Sequence, residues 1–466
     1  MHSPANHTSG PGIGWTLAAA SLAFVVIQLD VTIVNLALPQ IGQQWRADLA
    51  AMQWIVDAYT LALAVMLLTA GVLSDRLGSR RIFLAGFATF ALASLLCGLA
   101  PSAGALIAAR VLQGVGGALV LPTSLALIAH ACRGDARARA RAVGIWSASG
   151  AFAVAAGPML GGALVGTAGW RWIFLINLPL CLAGLLIAVR RVADTPKTGR
   201  GGFDLPGQLL ACVALTALVA SLIAAGGKGR ADAAIGAGLL LCAASGAAFL
   251  VRQARTAHPL VPLDMFRNAP FSSAVLSATA LCATFYGLMF VLSLYFQGVL
   301  RYTPAQAGLA FLPLTAVIMF ANLASAGLVR RLGYRLAIGA GLLVAAAGYG
   351  WLAMLPAGAA LRQMAPAMML VTLGMGAAIP ATTAVVLGSA AGERAGTAVA
   401  ILNTARQIGG ALGVALFGAL AGGDAQALAA RAGTVYAICA ALMLAALCQS
   451  LAFMGRAAGG ASACAR

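Results

Sequence analysis

The stretch LDVTIVNLALPQI, residues 29–41, is almost entirely apolar, yet its second residue is an aspartate. The apolar run containing it covers residues 15–39. At 1.5 Å per residue such a helix crosses the roughly 30 Å hydrocarbon core of a bilayer. Asp30 then lies inside the membrane. A carboxylate there is costly and persists where it faces a partner or a watery cavity.

The rest of the chain reads the same way. Of 466 residues, 62% are hydrophobic and only 9% charged. Soluble domains carry roughly a quarter charged residues, so lipid is the solvent for most of this chain. Fourteen apolar segments have spanning length: 15–39, 53–73, 82–100, 103–129, 142–165, 170–189, 205–225, 233–251, 270–297, 305–328, 336–355, 363–388, 396–420 and 432–454. The seventh and eighth are joined by a weak break, GGKGRAD, at 226–232.

The net charge of +18 is spread over short clusters between these segments. It forms no single basic patch of the kind nucleic acid requires. With both termini inside, 20 of the 29 Lys and Arg fall in inner segments, seven in outer loops, and Arg110 and Arg406 within spans. That asymmetry sets an orientation with cytoplasmic termini and an inner face that meets anionic lipid. Asn6-His7-Thr8 matches a glycosylation sequon, but its cytoplasmic placement makes it a chance match. The first span is too long for a cleavable signal and has no basic segment before it.

Nine cysteines include no CxxC pair, and seven lie in apolar runs as small packing residues. The four histidines, His2, His7, His130 and His258, lie outside the apolar runs. There is no HExxH and no P-loop. An enzyme, a metal site and a nucleotide-driven pump are therefore not expected, and no cofactor is.

An internal repeat organises the spans. SDRLGSRR follows the second span and VRRLGYRL the tenth. Aligned on Leu-Gly, Arg76, Gly78 and Arg80 meet Arg331, Gly333 and Arg335 at an offset of 255 residues, with Asp75 opposite Arg330. This predicts two equivalent six-helix halves, residues 1–195 and 257–466, around a two-helix insertion at 196–256.

Taken together, seven motifs resemble the major facilitator superfamily, and more closely its fourteen-spanner drug:proton antiporter family of the EmrB/QacA type. They are LDVTIVNLALPQI (29–41), GVLSDRLGSRR (71–81), LIAARVLQGVGGAL (106–119), GPMLGG (157–162), HPLVPLDMFRN (258–268), YTPAQAGLAFLP (302–313) and LNTARQIGGALGVAL (402–416). Ser79 departs from the pattern, standing where the inner loop usually has arginine. The resemblance implies an all-α membrane protein with the major facilitator fold, about fourteen transmembrane helices with two of them extra and central. It implies a proton-coupled multidrug or small-molecule exporter working by alternating access in the inner membrane. Its energy source is the proton gradient, and its partners are protons and an amphipathic or cationic small molecule. A periplasmic adaptor is an optional partner of such a carrier. A dedicated exporter of one endogenous metabolite is the alternative on the same fold.

Helical rise places the candidates in depth. Asp30 lies about 13 Å below the outer end of its span and Arg110 roughly 10 Å below the outer end of the fourth. The two share a level, with Gln113 one turn deeper, so Arg110 is the expected partner that tunes Asp30 in proton coupling. Asp57 reads equally as a functional residue, lining the outer mouth or adding a second titrating site, or as a helix-start aspartate favoured by the dipole. Gly71, Asp75, Arg76, Gly78 and Arg80 form the loop that acts as a conformational latch in the family, with Asp75 able to cap a helix or pair across the halves. Gly157, Pro158, Gly161 and Gly162 match the antiporter motif and offer a small-residue helix interface. Asn403, Arg406 and Gln407 form a polar cluster in the second half, Arg406 about 15 Å above the inner end of its span. Trp54, Tyr59, Tyr286, Phe290, Tyr295 and Phe296 read either as the lining of a promiscuous pocket or, for most of them, as lipid-facing packing and interfacial residues, and none is assigned as a ligand.

Overall fold

A computed structural model describes residues 11–197, 204–227, 233–390, 394–422 and 424–454. The sequon Asn6-His7-Thr8, His2 and residues 228–232 of the weak break lie outside the described residues. Every regular element among the described residues is helical. In chain order these are α1 (Pro11–Trp45), α2 (Leu49–Leu77), α3 (Ser79–Gly98), α4 (Ala103–Ala131), α5 (Ala136–Thr167), α6 (Trp172–Leu175), α7 (Asn177–Arg191), α8 (Leu205–Gly227) and α9 (Ala233–Arg255). A 3-10 turn, Leu263–Arg267, leads into α10 (Ala269–Leu294), whose end runs on as a π-helical segment, Tyr295–Val299. Then follow α11 (Pro304–Ala310), α12 (Leu312–Ala353), α13 (Leu361–Gly388), α14 (Ala395–Ala421) and α15 (Ala425–Phe453).

About thirteen of these helical stretches are long and apolar enough to cross a membrane. The difference from fourteen arises at 304–353, which runs as one nearly continuous helical stretch of 50 residues. Gly333 breaks its geometry with φ 76° and ψ 166°, outside the helical region. The expected tenth and eleventh segments lie on either side of that residue. The sixth segment is interrupted as well, between α6 and α7. Pro179 lacks the N–H that the carbonyl of Leu175 would accept, so the ladder breaks one turn earlier. Pro313 has the same effect between α11 and α12. His130, expected outside the apolar runs, sits in the last turn of α4.

Packing follows chain proximity. Helices α1, α2, α3, α4, α5 and α7 pack on one another, and α10, α12, α13, α14 and α15 do likewise. The two groups meet where α2 lies on α14, α5 on α11 and α12, and α1 on α10. Helix α8 packs on α2 and α14, with α9 against α8. Asp204, which precedes α8, is tied to α9 by Arg252 Nε at 2.5 Å and Gln253 Nε2 at 2.8 Å. Burial pushes the Asp204 carboxyl up, but hydrogen bonds from Arg252, the Gly207 N–H and Gln253 outweigh it and hold the group below the usual carboxylate range. The tie therefore holds at neutral pH and loosens only as pH falls below that range.

The two repeat loops have like geometry. Gly78 has φ 92° and Gly333 φ 76°, a region that L side chains rarely adopt. Arg80 donates to the carbonyls of Ala188 and Val189 in the last turn of α7, at 3.4 and 2.7 Å. Arg335 donates to the carbonyl of Leu451 in the last turn of α15 at 2.5 Å.

Candidate functional site

Asp30 and Arg110 are both 0% exposed and form an ion pair between Nη1 and Oδ2. Gln113 stands one turn below Arg110 on α4, as i, i+3 spacing requires. It accepts from Arg110 Nη1 at 2.7 Å and donates to Asp30 Oδ1 at 2.9 Å. The same amide donates to Ser94 Oγ of α3 at 2.9 Å. Asn177 of α7 closes the cluster with a 3.3 Å bond to Asp30 Oδ1. Arg110 Nε donates to the Ile55 carbonyl of α2 at 3.0 Å, and the guanidinium lies 4.3 Å from the centre of the Tyr59 ring. Four groups thus share the cost of removing one ion pair from water, which a buried pair without extra hydrogen bonds does not recover.

Asp57 sits elsewhere. It is 0% exposed and neither carboxyl oxygen has a hydrogen-bond partner. The helix-start reading fails for a simple reason: α2 begins at Leu49, and Asp48 is its cap, accepting from Ala51 N at 2.8 Å. Asp57 is nine residues beyond that cap, more than two turns into the helix.

The antiporter-motif glycines hold α5 against two neighbours. A Cβ on Gly157 would meet Thr32 Oγ1 at 2.0 Å, and one on Gly161 would meet Ile33 Cγ1 at 2.8 Å. Both contacts fall on α1 within one turn of Asp30. On the other side, a Cβ on Gly162 would meet the Pro304 carbonyl at 2.4 Å and Gly308 Cα at 3.0 Å. Backbone cannot retreat as a side-chain tip can, so Gly162→Val is expected to force α5 and α11 apart. At least a tenfold loss of transport per inserted molecule is the expected reading in vesicles. Gly166→Ala is the control, because its Cβ meets Ala305 only at 3.7 Å and should be tolerated.

Three side chains cross between the two helix groups at the end of the bundle that bears the α1–α2 turn. Gln53 Nε2 donates to the carbonyls of Val414 and Ala415, each at 2.9 Å. Ser293 Oγ donates to the Asn35 carbonyl at 2.6 Å, and Gln297 Nε2 to the Leu36 carbonyl at 3.2 Å. Just beneath them, Asn35, Thr60, Tyr286, Gln407, Gly410 and Val414 line a narrow cleft. Sequence reasoning named Gln407 but gave no reason to choose Tyr286 over the other aromatics.

Asn403, Arg406 and Gln407 lie on the cleft-facing side of α14 or beside it. Arg406 Nη2 reaches across to α13, to Thr383 Oγ1 at 2.8 Å and the Ile379 carbonyl at 3.2 Å. The residues expected to form the latch lie at the opposite end. Gly78 and Ser79 are buried, Asp75 and Arg76 are exposed, and a Cβ on Gly71 would meet open space. Arg80 pairs with Asp194 at 2.9 Å, on the segment that follows α7.

The family profile of the Major Facilitator Superfamily matches residues 20–414. A tetracenomycin C resistance and export protein of Streptomyces glaucescens is 35% identical over 437 residues, 93% of this chain and 79% of that protein. The multidrug efflux pump LfrA of Mycolicibacterium smegmatis is 33% identical over 414 residues, 89% of this chain and 82% of the pump. Among solved structures, a bacterial homologue of the human lysosomal transporter Spinster, inward-facing and unoccupied, superposes with TM-score 0.65. It has 19% identity and covers 96% of this chain and 98% of that one.

Proposed function

The chain belongs to the Major Facilitator Superfamily, and on that premise we propose that it exports amphipathic small molecules in exchange for protons. It is a multi-pass membrane protein and a drug-efflux transporter, not an enzyme. The finer reading places it among the fourteen-spanner antiporters. The kink at Gly333 supports fourteen crossings, because a 50-residue helix would be about 75 Å long, more than twice the hydrocarbon thickness. The like geometry around Gly78 and Gly333 supports two six-helix units, at residues 1–195 and 257–466.

With cytoplasmic termini, the α1–α2 end faces outward. The Gln53, Ser293 and Gln297 bonds then close the outer side, and Asp30 is sealed from both aqueous phases in this state. One observation carries the coupling reading: a carboxylate and a guanidinium, both fully buried, held in a network with two amides and a hydroxyl. Protonation of Asp30 removes the charge that Arg110 pairs with. Arg110 keeps the Ile55 carbonyl, Gln113 and the Tyr59 ring as neutral partners. The pair can therefore open without stranding the guanidinium, and α1 is freed from α4. Asp57 is the second proton site in this reading. The gradient is the energy source, with no cofactor.

Dye efflux from energised cells tests this. A protonophore is expected to abolish efflux while ATP is held constant. Efflux that survives the protonophore and stops on ATP depletion would overturn the reading.

A further inference from the structure

Among the described residues, Arg406 is a cation with no ion-pair partner. Helices α10 to α15 contain no Asp or Glu at all. Its hydrogen-bond acceptors, the Ile379 carbonyl and Thr383 Oγ1, are neutral, and its Nε has no partner. The titratable groups that act on it, Cys282 and Tyr286 of α10, are a thiol and a phenol rather than carboxylates. A guanidinium inside a membrane bundle is costly unless something compensates its charge.

Its position says what can reach it. Asn403, Arg406, Gln407, Gly410 and Val414 recur at helical spacing along one stripe of α14. The last three of these line the cleft between the two helix groups, opposite Asn35. The Tyr286 ring packs on Gly410, where an added Cβ would lie 3.0 Å from Cδ2. Arg406 is only partly buried, whereas Asp30 of α1 and Asp57 of α2 are 0% exposed, and the exposed Asp75 lies at the far end of α2. Asp30 is already engaged by Arg110. The charge on offer beside this cleft is positive.

We propose that Arg406 is the substrate-recognising residue for an acidic amphipathic compound, whose carboxylate or similarly acidic oxygen takes the guanidinium while its apolar body lies against Tyr286. Such a substrate supplies the missing countercharge, and a guanidinium fork suits a carboxylate. This deepens the exporter reading and rests on it. It reverses the expectation of a cationic substrate, for which this cleft offers no accessible anion.

The test measures carboxyfluorescein and ethidium efflux by wild type, Arg406→Gln and Arg406→Lys, per molecule in the membrane. Arg406→Gln is expected to raise the half-saturating concentration of carboxyfluorescein about tenfold or more and to leave ethidium unchanged or improved, with Arg406→Lys between. Equal loss of both probes, or an unchanged carboxyfluorescein curve, would sink the proposal. A measurement on wild type alone covers failure of the variants to insert. An aromatic carboxylic acid should compete with carboxyfluorescein at least tenfold better than its methyl ester, and equal competition refutes the assignment. Wild type that exports ethidium but not the acid defeats this inference alone. Wild type that exports nothing defeats the exporter reading with it.

Discussion

Asp30→Asn is expected to reduce gradient-driven export to background while the protein still inserts and folds. Asparagine keeps an oxygen for Gln113 and Asn177, which bond to Asp30 Oδ1 at 2.9 and 3.3 Å. Arg110 loses its countercharge but keeps the Ile55 carbonyl at 3.0 Å and Gln113 at 2.7 Å. The variant thus resembles the protonated state held permanently. Uphill efflux needs that group to cycle, whereas exchange of substrate across the membrane at zero gradient does not. Counterflow in vesicles should survive where uphill efflux falls, by on the order of a hundredfold, about 2.7 kcal/mol on a rate. Normal uphill export by a fully inserted Asp30→Asn would end the coupling mechanism.

The second large effect lies on the partner. Arg110→Met leaves the Asp30 carboxylate buried with only two amide donors. Removing one member of a buried ion pair costs about 3–5 kcal/mol. The variant should lose abundance and thermal stability in detergent, measured by the melting of inserted protein. The double variant Asp30→Asn with Arg110→Met should recover much of that loss, because it leaves no uncompensated charge. A double-mutant cycle reads the coupling directly, and two losses that merely add would argue that the residues do not act as a pair. Arg110→Lys is a poor substitute. One ammonium cannot serve Ile55, Asp30 and Gln113 from the positions of a planar fork.

The pairing itself was legible before any coordinates, since span direction and helical rise put Asp30 and Arg110 at one level. The same depth argument could have found Asn177 and Ser94. Each lies about 10 Å from the outer end of its expected span, yet neither is charged and so neither stood out among apolar neighbours. Asp57 shows the opposite error. Its helix begins one turn earlier than the apolar run suggests, because Asp48 caps it, and that moved the residue from a helix start to a buried site. The antiporter-motif glycines were legible as an interface. That Gly157 and Gly161 face α1 while Gly162 faces α11 was not, because spacing along one helix does not say which helix lies opposite.

Composition and periodicity alone determined that this chain lives in lipid as a bundle of spanning helices, and that a carboxylate and a guanidinium lie at one depth within it. Both conclusions follow from local quantities, transfer cost per residue and rise per residue. Tertiary packing alone decided which polar groups close around that pair, which glycines let helices touch, and that Arg406 stands beside the cleft between the helix groups with no anion among the described residues to meet it. Those facts depend on the rotation of each helix about its own axis and on its neighbours, and hydropathy in a chain this uniformly apolar carries almost no information about either.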